Sequence, residues 1–283
     1  MADVCKQLIV KSNPLIEAKY DLTVNEQRLV LATISQVRRD SQVTDQYTYS
    51  VTASTWSEMT GANINGVYEE LAAAAHRLLD RKVVLYEEPN SGQRKPVKLV
   101  THWVQSVRYI QEEGKVELRF AKDILPYLTA LRRNFTMYRL ENVSCMRSRY
   151  GIRLYEKLVQ WDSVGTRTIS ISWLREIFCL EDRYPLVADL KKRVINPAVK
   201  DINEHSDLWV EYDQKKIGRK VTDFVFRFGY KQEKAVTNSH SKQKTPTKYI
   251  HGVSVAEIER LAKPGESYED AAHRIKAQRR PNA

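Results

Sequence analysis

The chain has only three cysteines in 283 residues, Cys5, Cys145 and Cys179. They are widely spaced and odd in number, which argues against a disulfide framework and against a cysteine-based zinc site. Reduced thiols in a cytoplasm are the expectation. No apolar run approaches the roughly 18–20 residues that a membrane span needs. Met1 to Lys11 carries Asp3, Lys6 and Lys11 around a short apolar patch, unlike a signal peptide. The six histidines, His76, His102, His205, His240, His251 and His273, are isolated, so the metal-binding pair of a DNA-nicking enzyme is missing. Gly61 and Gly66 have the spacing of a phosphate-binding loop, but Val67 and Tyr68 stand where Lys and Ser or Thr are required. The acidic pairs Glu87-Glu88 and Glu112-Glu113 fall at turns, where solvated charge is the default. The expectation is therefore a non-enzymatic protein without metal or cofactor.

What the chain has in excess is positive charge. Lys and Arg number 46 against 35 Asp and Glu, for a formal net charge of +11. A basic globular protein usually meets a polyanion, most often nucleic acid. The apolar content of 42% supports folded cores, and the length suits two domains.

One order of elements is written twice: helix, strand, Trp-bearing helix, second helix, β-hairpin. In the first copy Asn25 is the expected N-cap of a helix carrying Leu29, Leu31, Ile34 and Val37 up to Arg38-Arg39-Asp40. Tyr47 to Thr52 reads as a strand, and a short helix from Ser54 through Trp56 stops near Gly61. Asn65 precedes a helix with Val67, Leu71, Ala74 and Leu78, followed by a strand from Lys82 to Glu87. Asn90-Ser91-Gly92 is turn chemistry, and Val97 to Ile110 is expected to pair with Lys115 to Phe120. The second copy opens with a helix from Tyr150 to Trp161, a strand from Thr168 to Ser172 and a short helix from Trp173 to Leu180. Leu186, Leu190, Val194, Ala198 and Ile202 then run at four-residue intervals, before a hairpin of Leu208 to Tyr212 and Val221 to Phe228. Arg132 to Arg149 has no clear period. Lys231 to Lys248 is polar, a predicted flexible linker, with short helices expected over Val255 to Leu261 and Tyr268 to Ile275.

This order is the winged-helix arrangement, whose second helix fits a major groove. The fold class is α+β: residues 1–135 form one winged helix, 136–230 another, and 231–283 a polar linker with a basic tail. In the second copy Lys191, Lys192 and Arg193, and then Asn196, Lys200 and Asn203, lie away from the apolar stripe. Pro197 sits inside that helix and should distort it. The hairpin tip, Lys215-Lys216-Ile217-Gly218-Arg219-Lys220, places four cations in six residues. A solvated basic face and a charge-protected sheet edge would look alike, but the repeat and the basic wing together favour DNA. The second helix of the first copy, with Glu69, Glu70 and Ala72 to Ala75, is not basic. Asn63 and Asn65 are its candidate DNA contacts, beside a role in close protein packing. A DNA-nicking enzyme and a winged-helix transcriptional repressor without an origin role are the competing readings.

Several stretches carry a resemblance. Leu8-Ile9-Val10-Lys11-Ser12-Asn13, Tyr20-Asp21-Leu22, Glu26-Gln27-Arg28-Leu29, Arg153-Leu154-Tyr155-Glu156 and the run from Leu190 to Asn203 follow one another in order. Together they resemble the iteron-plasmid replication initiators, the group containing the F-plasmid initiator, over Leu8 to Tyr230. The resemblance implies tandem winged helices that bind repeated origin sites, the iterons, as monomers. It also implies repression of their own gene by dimers on an inverted repeat, dimer contacts in the first domain, and recruitment of the host initiator and replicative helicase. Lys191, Lys192 and Arg193 match the base- and phosphate-contacting segment that it implies.

Overall fold

The computed structural model describes residues 6–37, 43–63, 65–87, 97–129, 134–231, 249–250, 253–254 and 273–277. The chain forms two units, Met1–Gln232 and Glu233–Ala283. In the second unit, Tyr249–Ile250 pairs antiparallel with Val253–Ser254, and 273–277 is helical. The expected turn at Asn90-Ser91-Gly92, the linker from 232 to 248 and the helix over 255–261 lie outside the described residues.

The first unit begins with β1 (Leu8–Ser12), α1 (Asn13–Glu17) and β2 (Lys19–Tyr20). The first repeat follows with α2 (Val24–Ile34), β3 (Tyr49–Thr52), α3 (Ala53–Thr60) and α4 (Val67–Leu79). Thr23, not Asn25, caps α2. Its hydroxyl accepts the Glu26 N–H while the Glu26 carboxylate accepts the Thr23 N–H at 3.0 Å, a reciprocal cap that leaves Asn25 already inside the helix. Glu26 also takes Arg77 at 3.0 Å and Arg81 at 2.9 Å, tying α4 to α2. Burial pushes the Glu26 carboxyl up, but Arg81, the Thr23 N–H and Arg77 more than offset it and hold it below the ordinary range. Ala74 and Ala75 are fully buried with Leu71 and Leu78, so small side chains bring α4 close to its neighbours. Gly61 ends α3 at φ +67°, a conformation glycine adopts without strain.

Next come β4 (Lys82–Glu87), β5 (Val97–His102), β6 (Val104–Ile110) and β7 (Lys115–Phe120). The expected single strand from Val97 to Ile110 is two strands serving two sheets. β5 pairs with β4, and β6 with β7. The break falls at Trp103, whose side chain is fully buried and meets the Tyr20 ring edge-on at 5.0 Å. The sheet orders are β2-β4-β5 and β3-β7-β6.

The stretch without a period contains β8 (Phe135–Arg139), antiparallel to β1, and α5 (Glu141–Ser144). The expected boundary at 135/136 thus falls within a strand whose partner is the first strand of the chain. The second repeat is α6 (Arg149–Val159), β9 (Thr166–Ser170), α7 (Ile171–Ile177), α8 (Val187–Leu190), a π turn over Lys191–Ile195, α9 (Asn196–His205), β10 (Leu208–Ile217) and β11 (Lys220–Tyr230). Its sheet order, β10-β11-β9, repeats the β6-β7-β3 order of the first copy. The duplication therefore extends to strand pairing, with the β4–β5 hairpin inserted in the first copy.

α6 joins the two copies, and its charged residues Arg153, Glu156 and Lys157 are buried. The Arg153 guanidinium donates to the carbonyls of Ala18 at 2.6 Å, Tyr20 at 2.7 Å and Ile177 at 2.5 Å, with the Tyr20 ring 3.7 Å away. Glu156 accepts the Lys11 ammonium at 2.6 Å and the Tyr138 hydroxyl at 2.5 Å. Burial raises Glu156, but Lys11 and the Tyr138 hydroxyl bring it net below the usual carboxylate range. Lys157 donates to the Ile16 carbonyl at 2.5 Å, and burial pushes its ammonium well below the ordinary range. The Arg153–Glu156 stretch is therefore an internal lock between the N-terminal strands and the second winged helix.

Candidate nucleic-acid interface

The helix of the second domain is positioned from within. Leu190, Val194, Ile195, Ala198 and Ile202 are fully buried. Burial of each large aliphatic side chain contributes roughly 1.5–3 kcal/mol, which fixes which face turns outward. Leu186 departs from the expected stripe. It is 65% exposed and stands at the N-cap in an extended conformation, before the helix begins. Asp201, also buried, accepts the backbone N–H groups of Arg147 (3.1 and 3.0 Å) and Ser148 (2.8 Å) at the start of α6. α9 and the joining helix α6 are thereby held together.

Pro197 shapes this helix as expected, through the π turn. Pro197 has no N–H, and the Asn196 N–H reaches back five residues to the Lys191 carbonyl. Lys192, Arg193, Asn196 and Lys200 are exposed, and Lys191 is half-buried. Lys200 is 3.7 Å from Glu204, an exposed pair of small energetic weight. Asn203 does not join the outer face. Its amide donates to the Val210 carbonyl at 2.7 Å and accepts the Val210 N–H at 2.8 Å, fastening the helix to the base of the wing.

The wing strands run almost to the tip, with Ile217 opposite Lys220 and a turn at Gly218, φ +59°. Lys215, Lys216 and Lys220 are strand residues rather than loop residues, and they are exposed together with Arg219. The ladder shifts register between Lys215 and Lys216. Among the described residues, none of Lys191, Lys192, Arg193, Lys215, Lys216, Arg219 and Lys220 forms a salt bridge. Arg227 on the same hairpin contrasts with them: it contacts Glu211 at 2.8 Å and also Asp213. Seven cations without counterions on one helix and its wing can donate to phosphate oxygens without first breaking an internal pair.

The first domain is different. Asn63 and Asn65 are exposed, but the Asn65 N–H donates to the Asn63 side-chain oxygen at 3.1 Å, so the pair shapes the turn before α4. α5 packs on both α3 and α9, placing the joining segment between the two winged helices. Sequence reasoning missed Asp201, Tyr212 and Lys231. The Lys231 ammonium donates to the carbonyls of Asn203 at 2.7 Å and Ser206 at 2.6 Å, so this residue belongs to the folded domain, not to the tail. Tyr212 was legible as an inward strand residue, two on from Val210, but its polar contact with Asn196 across the fold was not.

Among the described residues no helix is long and apolar enough to cross a membrane. Residues 8–159 match the family model for initiator replication protein, WH1, and residues 170–228 that for initiator Rep protein, WH2. A replication initiation protein of Escherichia coli is 27% identical over 228 residues, spanning 78% of this chain and 69% of its own. The PI protein of Escherichia coli is 25% identical over 158 residues, half of this chain and 52% of that protein. The fold matches the crystal structure of Pi initiator protein in complex with iteron DNA with a TM-score of 0.66 at 20% identity, over 81% of this chain and 99% of that one. Carrying both domain models in tandem, the chain belongs to the replication initiator family with two winged helices.

Proposed function

We propose that this initiator binds double-stranded iteron DNA as a monomer, with the second winged helix as the main reader, and starts plasmid replication without enzymatic chemistry of its own. The observation that carries this reading is the set of unpaired cations on the α8–α9 helix and the wing. Lys192, Arg193, Asn196 and Lys200 face the major groove, where base edges are distinguishable. Lys215, Lys216, Arg219 and Lys220 hold phosphates beside it. Lys191 contributes at the start of the helix. The first domain adds contacts from Asn63 and Asn65 and carries the dimer contact through which the protein represses its own gene on an inverted repeat. The host initiator and replicative helicase are its protein partners, and the cytoplasm is its compartment.

Footprinting on the DNA flanking its own gene tests this reading. Protection of tandem direct repeats is expected. Protection confined to one inverted repeat at the promoter would make the protein a repressor without an origin role. Nicking of supercoiled DNA in the presence of a divalent metal would overturn the non-enzymatic part.

A further inference from the structure

The wing does more than hold phosphates, because one of its side chains reaches the recognition helix. Tyr212 lies on β10 directly opposite Phe226. Its ring packs edge-on against Phe224 at 5.5 Å and tilted against Phe226 at 5.8 Å, and both phenylalanines are buried. With two aromatic neighbours the ring has one resting place. From there its hydroxyl donates to the Asn196 side-chain oxygen at 2.5 Å. The Lys191 ammonium sits 5.9 Å from the same ring. Lys191 and Asn196 are the two residues joined by the five-residue backbone hydrogen bond of the π turn. Tyr212 therefore braces both ends of the one irregular turn in the helix.

The chemistry of Asn196 follows from this. A free asparagine pairs with adenine by accepting from N6 and donating to N7 at once. Here the acceptor oxygen is engaged by Tyr212, while the NH2 has no partner among the described residues and is left as a donor. A donor matches the acceptors of guanine, N7 and O6, or O4 of thymine. Burial raises the Tyr212 phenol, so it stays protonated and keeps donating across the working pH range.

We propose that Tyr212 is a positioning residue that sets base preference, by fixing Asn196 as a hydrogen-bond donor toward a guanine or thymine edge. The inference rests on the reading of the second-domain helix as the base reader. It adds a second function to the wing, which would otherwise be a phosphate clamp.

The experiment is a selection from random duplexes with the full chain, comparing wild type, Asn196→Ala, Tyr212→Phe and Tyr212→Leu. Asn196→Ala identifies the base pair that Asn196 reads. At that position wild type is expected to enrich guanine or thymine. Tyr212→Phe, which keeps the ring and removes the hydroxyl, is expected to cut this preference by roughly fivefold or more and to admit adenine, leaving other positions unchanged. Affinity for random duplex and its salt dependence should stay at the wild-type level, a combination that general loosening of the domain would not give. Tyr212→Leu, which also removes the ring beneath Lys191, should weaken preference at a neighbouring position as well. If Asn196→Ala changes a position and Tyr212→Phe does not, or if wild type enriches adenine there, the role of Tyr212 is overturned and the helix remains the reader. If Asn196→Ala changes no position, Asn196 is not a reader and both readings fall at this residue.

Discussion

Replacing Arg153 by Met tests the internal lock most directly. Met has a similar reach and no donors, so the cavity stays filled while three hydrogen bonds disappear. The carbonyls of Ala18, Tyr20 and Ile177 lose their guanidinium partner within a buried setting where Arg153 itself is 3% exposed. Each unsatisfied buried acceptor costs about 1–3 kcal/mol. The three acceptors are close together and their costs will not add fully, so the expected loss is about 3–5 kcal/mol, the range for breaking a buried charged network. With a urea m-value of about 2.5 kcal/mol/M for a domain pair of this size, the midpoint should fall by roughly 1–2 M. Urea unfolding followed by both tryptophan fluorescence and circular dichroism is the assay. Ala18 and Tyr20 belong to the N-terminal elements and Ile177 to the second winged helix, so the two halves should also begin to unfold separately, with non-coincident curves. Arg153→Lys should recover only part of the loss, because one ammonium cannot span the three carbonyls. A midpoint shift below roughly 0.4 M for Arg153→Met, about 1 kcal/mol, would refute the lock.

Other outcomes follow from the same structure. Arg193→Ala or Lys192→Ala should cost about 1–3 kcal/mol on the cognate duplex and little on scrambled duplex, measured at fixed salt. Lys220→Ala should weaken both alike and lower the slope of log K against log salt by about one; a loss of discrimination instead would exchange the roles of helix and wing. Glu156 and Glu26 have folded-state pKa values below their unfolded ones, so their stability is fully present above about pH 4.3 and is lost as pH falls through the folded values. Glu156→Gln should therefore unfold at lower urea at neutral pH, yet lose less stability than wild type between about pH 5 and 3. Truncation after Lys231 should leave specific DNA binding intact, whereas truncation after Tyr230 also removes the cap on the recognition helix and should lower the melting temperature.

Much of the architecture was legible because periodicity and turn chemistry are local. The alternation over Leu208 to Tyr212, the αL stop at Gly61 and the four-residue stripe from Leu190 to Ile202 all correspond to real elements. What escaped was non-local. Trp103 ends one strand and starts another because of what it packs against, and no local pattern marks that break. Asn25 and Thr23 are both good capping residues, and the choice depends on Glu26 lying three residues after Thr23. Of the candidate DNA contacts, Lys192, Arg193, Asn196, Lys200 and the wing cations are exposed together, whereas Asn203 is spent on Val210 and the exposed Asn63 also holds its own turn through its side-chain oxygen. An amide in sequence announces hydrogen bonding but not the partner. The same limit hid the charges of α6, because Arg, Glu and Lys in an amphipathic pattern read as surface until their partners are placed around them.

The π turn has a consequence for how this helix tolerates change in length. An α-helix overshoots a full circle by about 40° every four residues, so a strict four-residue stripe from Leu190 to Ile202 would wander by about 120° in a regular helix. The wider turn at Lys191–Ile195 takes back part of that drift and keeps the stripe against the core. It amounts to one surplus residue stored in the middle of the helix. Deleting a single residue there would restore a regular helix and leave the segments on either side in their present phase against the core. The loss of one codon at this point would thus be absorbed without turning Asn196 and Lys200 away from their present face, whereas the gain of one more would turn them by about 100° relative to Leu190, a route to new site preferences that requires no change in the side chains themselves.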